Sequence, residues 1–160
     1  MIISNSVSQD DIAQSKGVFY SISKRINKHL KEENISLNFQ GYTDTLNDYV
    51  SVDTNDLLSL DILIKDLNLW SDYIGEIEGI IRLYMLKYEN KSLYIESFLD
   101  KKAPNPKTEI LYEECISKYK DYKLYVKILK GQRKMFIKAY KHCIELYNSA
   151  YEQLLYKSNY

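Results

Sequence analysis

Hydrophobic residues recur at alternating steps of three and four along two long stretches of the chain. The first runs Leu60, Leu63, Leu67, Trp70, Ile74, Ile77, Ile81, Tyr84, Tyr88, Lys91, Ile95, Phe98. The second runs Tyr112, Cys115, Tyr119, Tyr122, Val126, Leu129, Arg133, Phe136, Tyr140, Cys143, Tyr147, Ala150, Leu154. This spacing predicts two helices that each bury a seam against another helix. Between them lies Lys101-Lys102-Ala103-Pro104-Asn105-Pro106-Lys107, whose prolines break a helix. The expected fold is therefore all-α, with a long antiparallel, coiled-coil-like helical hairpin.

Facing layers of such a hairpin share a constant sum of residue numbers, here about 210. That sum pairs Phe98 with Tyr112, Ile95 with Cys115, Tyr88 with Tyr122, Ile81 with Leu129, Ile74 with Phe136 and Trp70 with Tyr140. Two seam positions are charged. Lys91 would lay its stem on Tyr119. Arg133 would face Ile77 and pair with Glu76 or Glu78.

The remaining pattern is shorter. After a polar stretch over residues 1–9, Asp10-Asp11 is expected to cap an amphipathic helix over residues 10–33. Its apolar stripe is Ile12, Phe19, Ile22, Ile26 and Leu30, with Lys24, Arg25, Lys28 and Lys31 on the rest of its surface. Residues 34–53 admit two readings. Ile35-Ser36-Leu37-Asn38-Phe39 and Val50-Ser51-Val52 alternate with period two, which allows a small β-hairpin. The other reading is a loop with a short helix near Leu46 to Val50. Asp53-Thr54-Asn55-Asp56 then opens the first long helix, over residues 54–99, and the last helix covers 107–157. Gly75, Gly79 and Gly131 sit inside these helices, where sustained packing is expected to override their low propensity.

At 160 residues the chain is read as a single domain able to bury a core. Apolar flank residues such as Leu69, Leu83, Leu86, Leu124 and Ile137 have no cover in a two-helix seam, so self-association is expected. The start of the chain lacks the basic and apolar regions of a secretory leader, and no apolar run is long enough for a membrane span. A cytoplasmic protein with no membrane partner is the expectation. Cys115 and Cys143 lie roughly 40 Å apart on one helix. They cannot pair, and are read as small buried hydrophobes. The chain has 16 tyrosines. Codon bias accounts for such a number, and so does a need for amphipathic contact area.

Signals of catalysis are absent from this pattern. His29 and His142 each stand alone, and no zinc motif, phosphate loop or calcium loop is present. The reading is a non-enzyme with no cofactor, no metal and no catalytic residue.

Charge balances overall, at 22 basic against 22 acidic residues, so any partner must be read from its distribution. From Asp44 to Glu78 there are nine acidic residues and one basic. From Lys118 to Lys141 there are nine basic residues and one acidic. Lys120, Lys127, Lys134 and Lys141 recur every seven residues, with Lys123 and Lys130 beside them. These six lysines form a stripe about 30 Å long on the last helix, a candidate contact for a nucleic-acid backbone. Two other readings stay open. Lysines beside a helix seam can pair with carboxylates on a neighbouring helix. Acidic and basic blocks can also join protein partners.

Residues from about Leu67 to Leu155 resemble the UvsY-type recombination mediators of T-even-like phages. The likeness lies in Leu69-Trp70-Ser71-Asp72-Tyr73, Ile77-Glu78 and Leu83-Tyr84, then Lys118-Tyr119-Lys120-Asp121-Tyr122 and the run to Leu154. It implies a phage-encoded oligomeric ring in the host cytoplasm that binds single-stranded DNA and loads a recombinase. The alternative is a protein-only interaction module, either a phage inhibitor of a host enzyme or a virion or scaffold component.

Overall fold

The computed structural model describes residues 6–99 and 105–159. They form four helices: α1 (Gln9–Lys31), α2 (Tyr42–Ser51), α3 (Leu57–Leu99) and α4 (Pro106–Ser158). Most of the Pro-containing turn expected between the long helices lies outside the described residues. The chain divides into two compact units. One joins the residues up to Tyr73 with those from Gln132 onward, and the other is Ile74–Gly131.

Of the two readings of residues 34–53, the β-hairpin is not formed, since no strand is present among the described residues, and the short helix is, as α2. The period-two pattern nonetheless has a physical meaning. Ile35, Leu37 and Phe39 are half-buried while Ser36 and Asn38 are exposed. Its backbone finds side-chain partners in place of a second strand. Asn38 N–H donates to the Tyr73 hydroxyl at 3.1 Å, and Gln40 N–H to Asn38 Oδ1 at 2.9 Å. Gly41, at φ 91°, then turns the chain into α2.

Capping differs from expectation at α1 and meets it at α3. Ser8, not Asp10-Asp11, caps α1, its side chain accepting from Asp11 N–H at 3.1 Å. Within the Asp53–Asp56 cluster it is Asp56 that caps α3, accepting from Leu58 N–H and Ser59 N–H at 3.1 and 3.2 Å.

The unit containing α1 and α2 is built around Tyr42, which is fully buried. Its ring stacks on Phe19 at 3.5 Å and meets Trp70 and Phe136 edge-on at 5.7 and 5.3 Å. Its hydroxyl donates to Gln132 Oε1, and Gln132 Nε2 donates to the Ser15 carbonyl at 3.4 Å. One buried side-chain amide therefore links α1, α2 and α4. The five expected stripe residues of α1 are all buried here, as are Leu60, Leu63 and Leu67 of α3. Trp70 is only half-buried, and its ring lies 6.5 Å from that of Phe136.

In the Ile74–Gly131 unit the core is Ile77, Ile81, Tyr88 and Ile95 with Cys115, Tyr122, Tyr125, Val126 and Leu129. Tyr122 stacks on Tyr88 at 5.7 Å and on Tyr84 at 6.0 Å, so here α4 returns alongside α3. Glu78 is buried and holds Arg82 at 2.7 Å, one turn along its own helix.

The heptad reading needs one systematic correction. Its spine is buried throughout: Leu60, Leu67, Ile74, Ile81, Tyr88 and Ile95 in α3, and Cys115, Tyr122, Leu129, Phe136, Cys143 and Ala150 in α4. The second row is not. Lys91, Phe98, Arg133 and Leu154 are exposed, while Ser71, Glu78, Ser92, Tyr125, Gln132 and Ala139 are buried. A straight helix drifts about 20° per heptad against a strict seven-residue repeat. In α3 this drift carries Lys91 and Phe98, three residues after the spine, out of the core and brings in Ser71, Glu78 and Ser92, four after it. In α4 the rows exchange in the opposite sense, because Tyr42 and the Ser15 carbonyl draw in Gln132. Arg133 therefore needs no carboxylate inside a seam, and Glu78 takes Arg82 instead.

Candidate nucleic-acid interface

The interface is carried by α4, a 53-residue helix whose apolar spine holds one side against the core. In the Ile74–Gly131 unit, Lys120, Lys123, Lys127 and Lys130 are all exposed. At 3.6 residues per turn they fall within about 80° of arc, on a flank centred about 120° from Cys115, Tyr122 and Leu129. In the other unit, Lys134 and Lys141 are exposed as well. Lys138, which the heptad count passed over, is exposed on the same arc. A helical wheel drawn at 3.6 rather than 3.5 residues per turn would have found it.

None of the six predicted lysines is paired with a carboxylate among the described residues. Among the described residues, Lys123 alone of the six lies near an aromatic ring, its ammonium 5.8 Å from the Tyr119 ring centroid. Glu109 and Glu113 precede the lysines on this arc, and Glu145 and Glu152 follow them. Ammonium groups on flexible stems, spread along a helix and free of internal partners, are suited to contacting successive phosphates without reading base sequence. The tyrosines near the stripe are less available. Tyr122 and Tyr125 are buried, and Tyr119 is half-buried.

The acidic block forms no matching clamp. Asp48, Asp53 and Asp66 line a surface hollow of about 290 Å³ together with Val52, Ile62 and Leu63. Asp61 is engaged with Lys65 at 2.8 Å on the exposed side of α3. Among the described residues no group of three or more His, Cys, Asp or Glu is placed to hold a metal ion.

Each histidine has a local partner. His29 Nδ1 lies 3.0 Å from the Arg25 carbonyl, and His142 Nδ1 lies 2.7 Å from the Tyr49 hydroxyl. Val7 N–H donates to that same hydroxyl at 3.1 Å, which ties the segment before α1 to α2. Cys115 and Cys143 are free thiols inside the protein. Burial pushes the Cys143 thiol up to about 12, which leaves it protonated and a poor nucleophile at neutral pH. No helix among the described residues is long and apolar enough to cross a membrane.

Comparison with protein-family models, with characterised proteins and with solved structures finds no match for this chain.

Proposed function

We propose that this protein is a non-enzymatic, helical nucleic-acid-binding protein that takes the backbone of single-stranded DNA along the lysines of α4. The carrying observation is that Lys120, Lys123, Lys127, Lys130, Lys134 and Lys141 are all exposed and have no carboxylate partner among the described residues. A wider role rests on the resemblance to UvsY-type mediators. There the protein is a phage-encoded oligomer that assists the loading of a recombinase onto the bound strand.

Fluorescence anisotropy with a labelled single-stranded oligonucleotide at two salt concentrations tests the proposal. Binding should be independent of base sequence and weaken with salt at a slope of about −0.7 per phosphate neutralised. Changing Lys123 and Lys127 to Glu removes charge from one unit, and changing Lys134 and Lys141 to Glu removes it from the other. Each pair should weaken binding and flatten the slope while helix content by circular dichroism stays constant. If the wild-type protein shows no salt-sensitive binding at low ionic strength, the lysines are a solvated or protein-facing surface.

A second reading, docking on another protein, has its own observation. Every described residue from Tyr151 onward is exposed, although α4 continues to Ser158. Tyr151, Leu154, Leu155 and Tyr156 place four large apolar side chains in water there.

A further inference from the structure

We infer that the outer face of α1 is a second contact for single-stranded nucleic acid, where Tyr20 stacks a base and Lys24, Lys28 and Lys31 hold the backbone. The inference rests on the DNA-binding reading but concerns a different helix and a different kind of contact.

Most tyrosines of the chain are wholly or partly covered, but Tyr20 is 67% exposed. It is also held in place. The Lys24 ammonium sits 4.3 Å from its ring centroid and donates to its hydroxyl at 2.8 Å. That ammonium lies at the hydroxyl end of the ring. Among the described residues, no other ring or cation lies against Tyr20.

Side chains on a helix lean toward its N-terminus, so Tyr20 leans toward the turn that contains Gly17. No atom lies within 4 Å of the place where a Cβ on Gly17 would stand. Lys16, on the same face, is turned away, its ammonium held by Asn47 Oδ1 at 2.8 Å, and Ala13 lies one turn earlier. A flat group therefore has an open approach to the ring from that side.

Lys28 and Lys31 continue the face toward the C-terminal end of α1. Both are exposed and without a described partner. From Tyr20 to Lys31 the face is about 16 Å long. An oriented ring beside a row of unpaired ammonium groups is the combination that binds single strands. The ring accepts any base, and the lysines accept phosphates. A duplex, whose bases are already stacked, gains nothing from the ring.

The test compares two labelled oligonucleotides of equal length, one of deoxythymidine and one in which the bases are replaced by abasic sites. Their phosphate charge is the same. The wild-type protein should bind the base-bearing strand more tightly, by about tenfold for one stacked base. Tyr20→Ala should remove most of that preference and leave the salt slope unchanged. Tyr20→Phe should keep the preference, because stacking needs the ring and not the hydroxyl. Tyr20 is exposed, so neither variant removes core packing.

Wild-type binding with the preference intact in Tyr20→Ala would overturn the inference and leave the lysine reading of α4 standing. Equal losses in Tyr20→Ala and Tyr20→Phe would overturn it too, by assigning the effect to the hydroxyl and Lys24. Failure of the wild-type protein to bind either strand would remove the DNA-binding reading itself, and this inference with it.

Discussion

Tyr42 is the residue on which one unit turns, and nothing in its immediate sequence marks it. It sits in Gln40-Gly41-Tyr42-Thr43-Asp44, a stretch with loop composition. Burial alone sets it apart, by stacking it on Phe19 and aiming its hydroxyl at Gln132. Replacing it with Phe would leave the buried Gln132 carbonyl oxygen without its donor, a loss of about 1–3 kcal/mol. Burial also raises the Tyr42 phenol well above its ordinary value of 10.0. The unfolded chain therefore releases this proton at a lower pH than the folded protein does. The contribution is complete below pH 10 and falls away as pH climbs from the unfolded value toward the folded one. Denaturant midpoints measured at pH 8 and above pH 10 should show both effects. Tyr42→Phe should be less stable at pH 8 and should lose less than wild type on going alkaline. A substitution without effect at pH 8 would mean that the hydroxyl contributes nothing to the core.

Among the elements, α2 was the ambiguous one, because residues 35–39 carry strand periodicity and residues 42–51 carry no long apolar pattern. Both signals were real, since the first segment does bury alternate side chains. A strand also needs a partner strand, and α2 occupies the sequence that would have supplied it. Gly41 marks the change. Its φ of 91° lies in the left-handed region, and an added Cβ would stand 3.7 Å from Trp70 Cζ2. Contact at that distance is ordinary, so the cost of Gly41→Ala is conformational, about 1 kcal/mol or somewhat more. A lowered thermal midpoint with unchanged Trp70 fluorescence is the expected result. A large shift in Trp70 emission would mean that the substitution displaces the ring. The long helices were clear by contrast, because a pattern sustained over 40 or so residues leaves no competing period.

At the scale of the whole molecule, the uncovered end of α4 bears on assembly. Light scattering at micromolar concentration should report more than one chain per particle. Changing Leu154 and Leu155 to Glu should lower that mass if the end of the helix is a contact, since charge in an apolar interface is costly. A wild-type monomer at high concentration would count against self-association and against the ring-forming role. The helical class of the protein, its two long helices, the stripe of α1 and the spine of each heptad were all legible in the sequence. Each is a local or periodic property, set by side-chain spacing along one helix. Exposure of the α4 lysines was legible for the same reason, because they stand on the flank of that spine. The rest was decided by tertiary structure. Heptad counting puts Arg133 in the seam and Gln132 beside it, but the hydroxyl of Tyr42 and the carbonyl of Ser15 reverse them. The same holds for Tyr125, for the burial of Glu78 with Arg82, and for the strand that had no partner. Each of these outcomes depends on what a distant segment places opposite the residue, and periodicity along one helix carries no information about that.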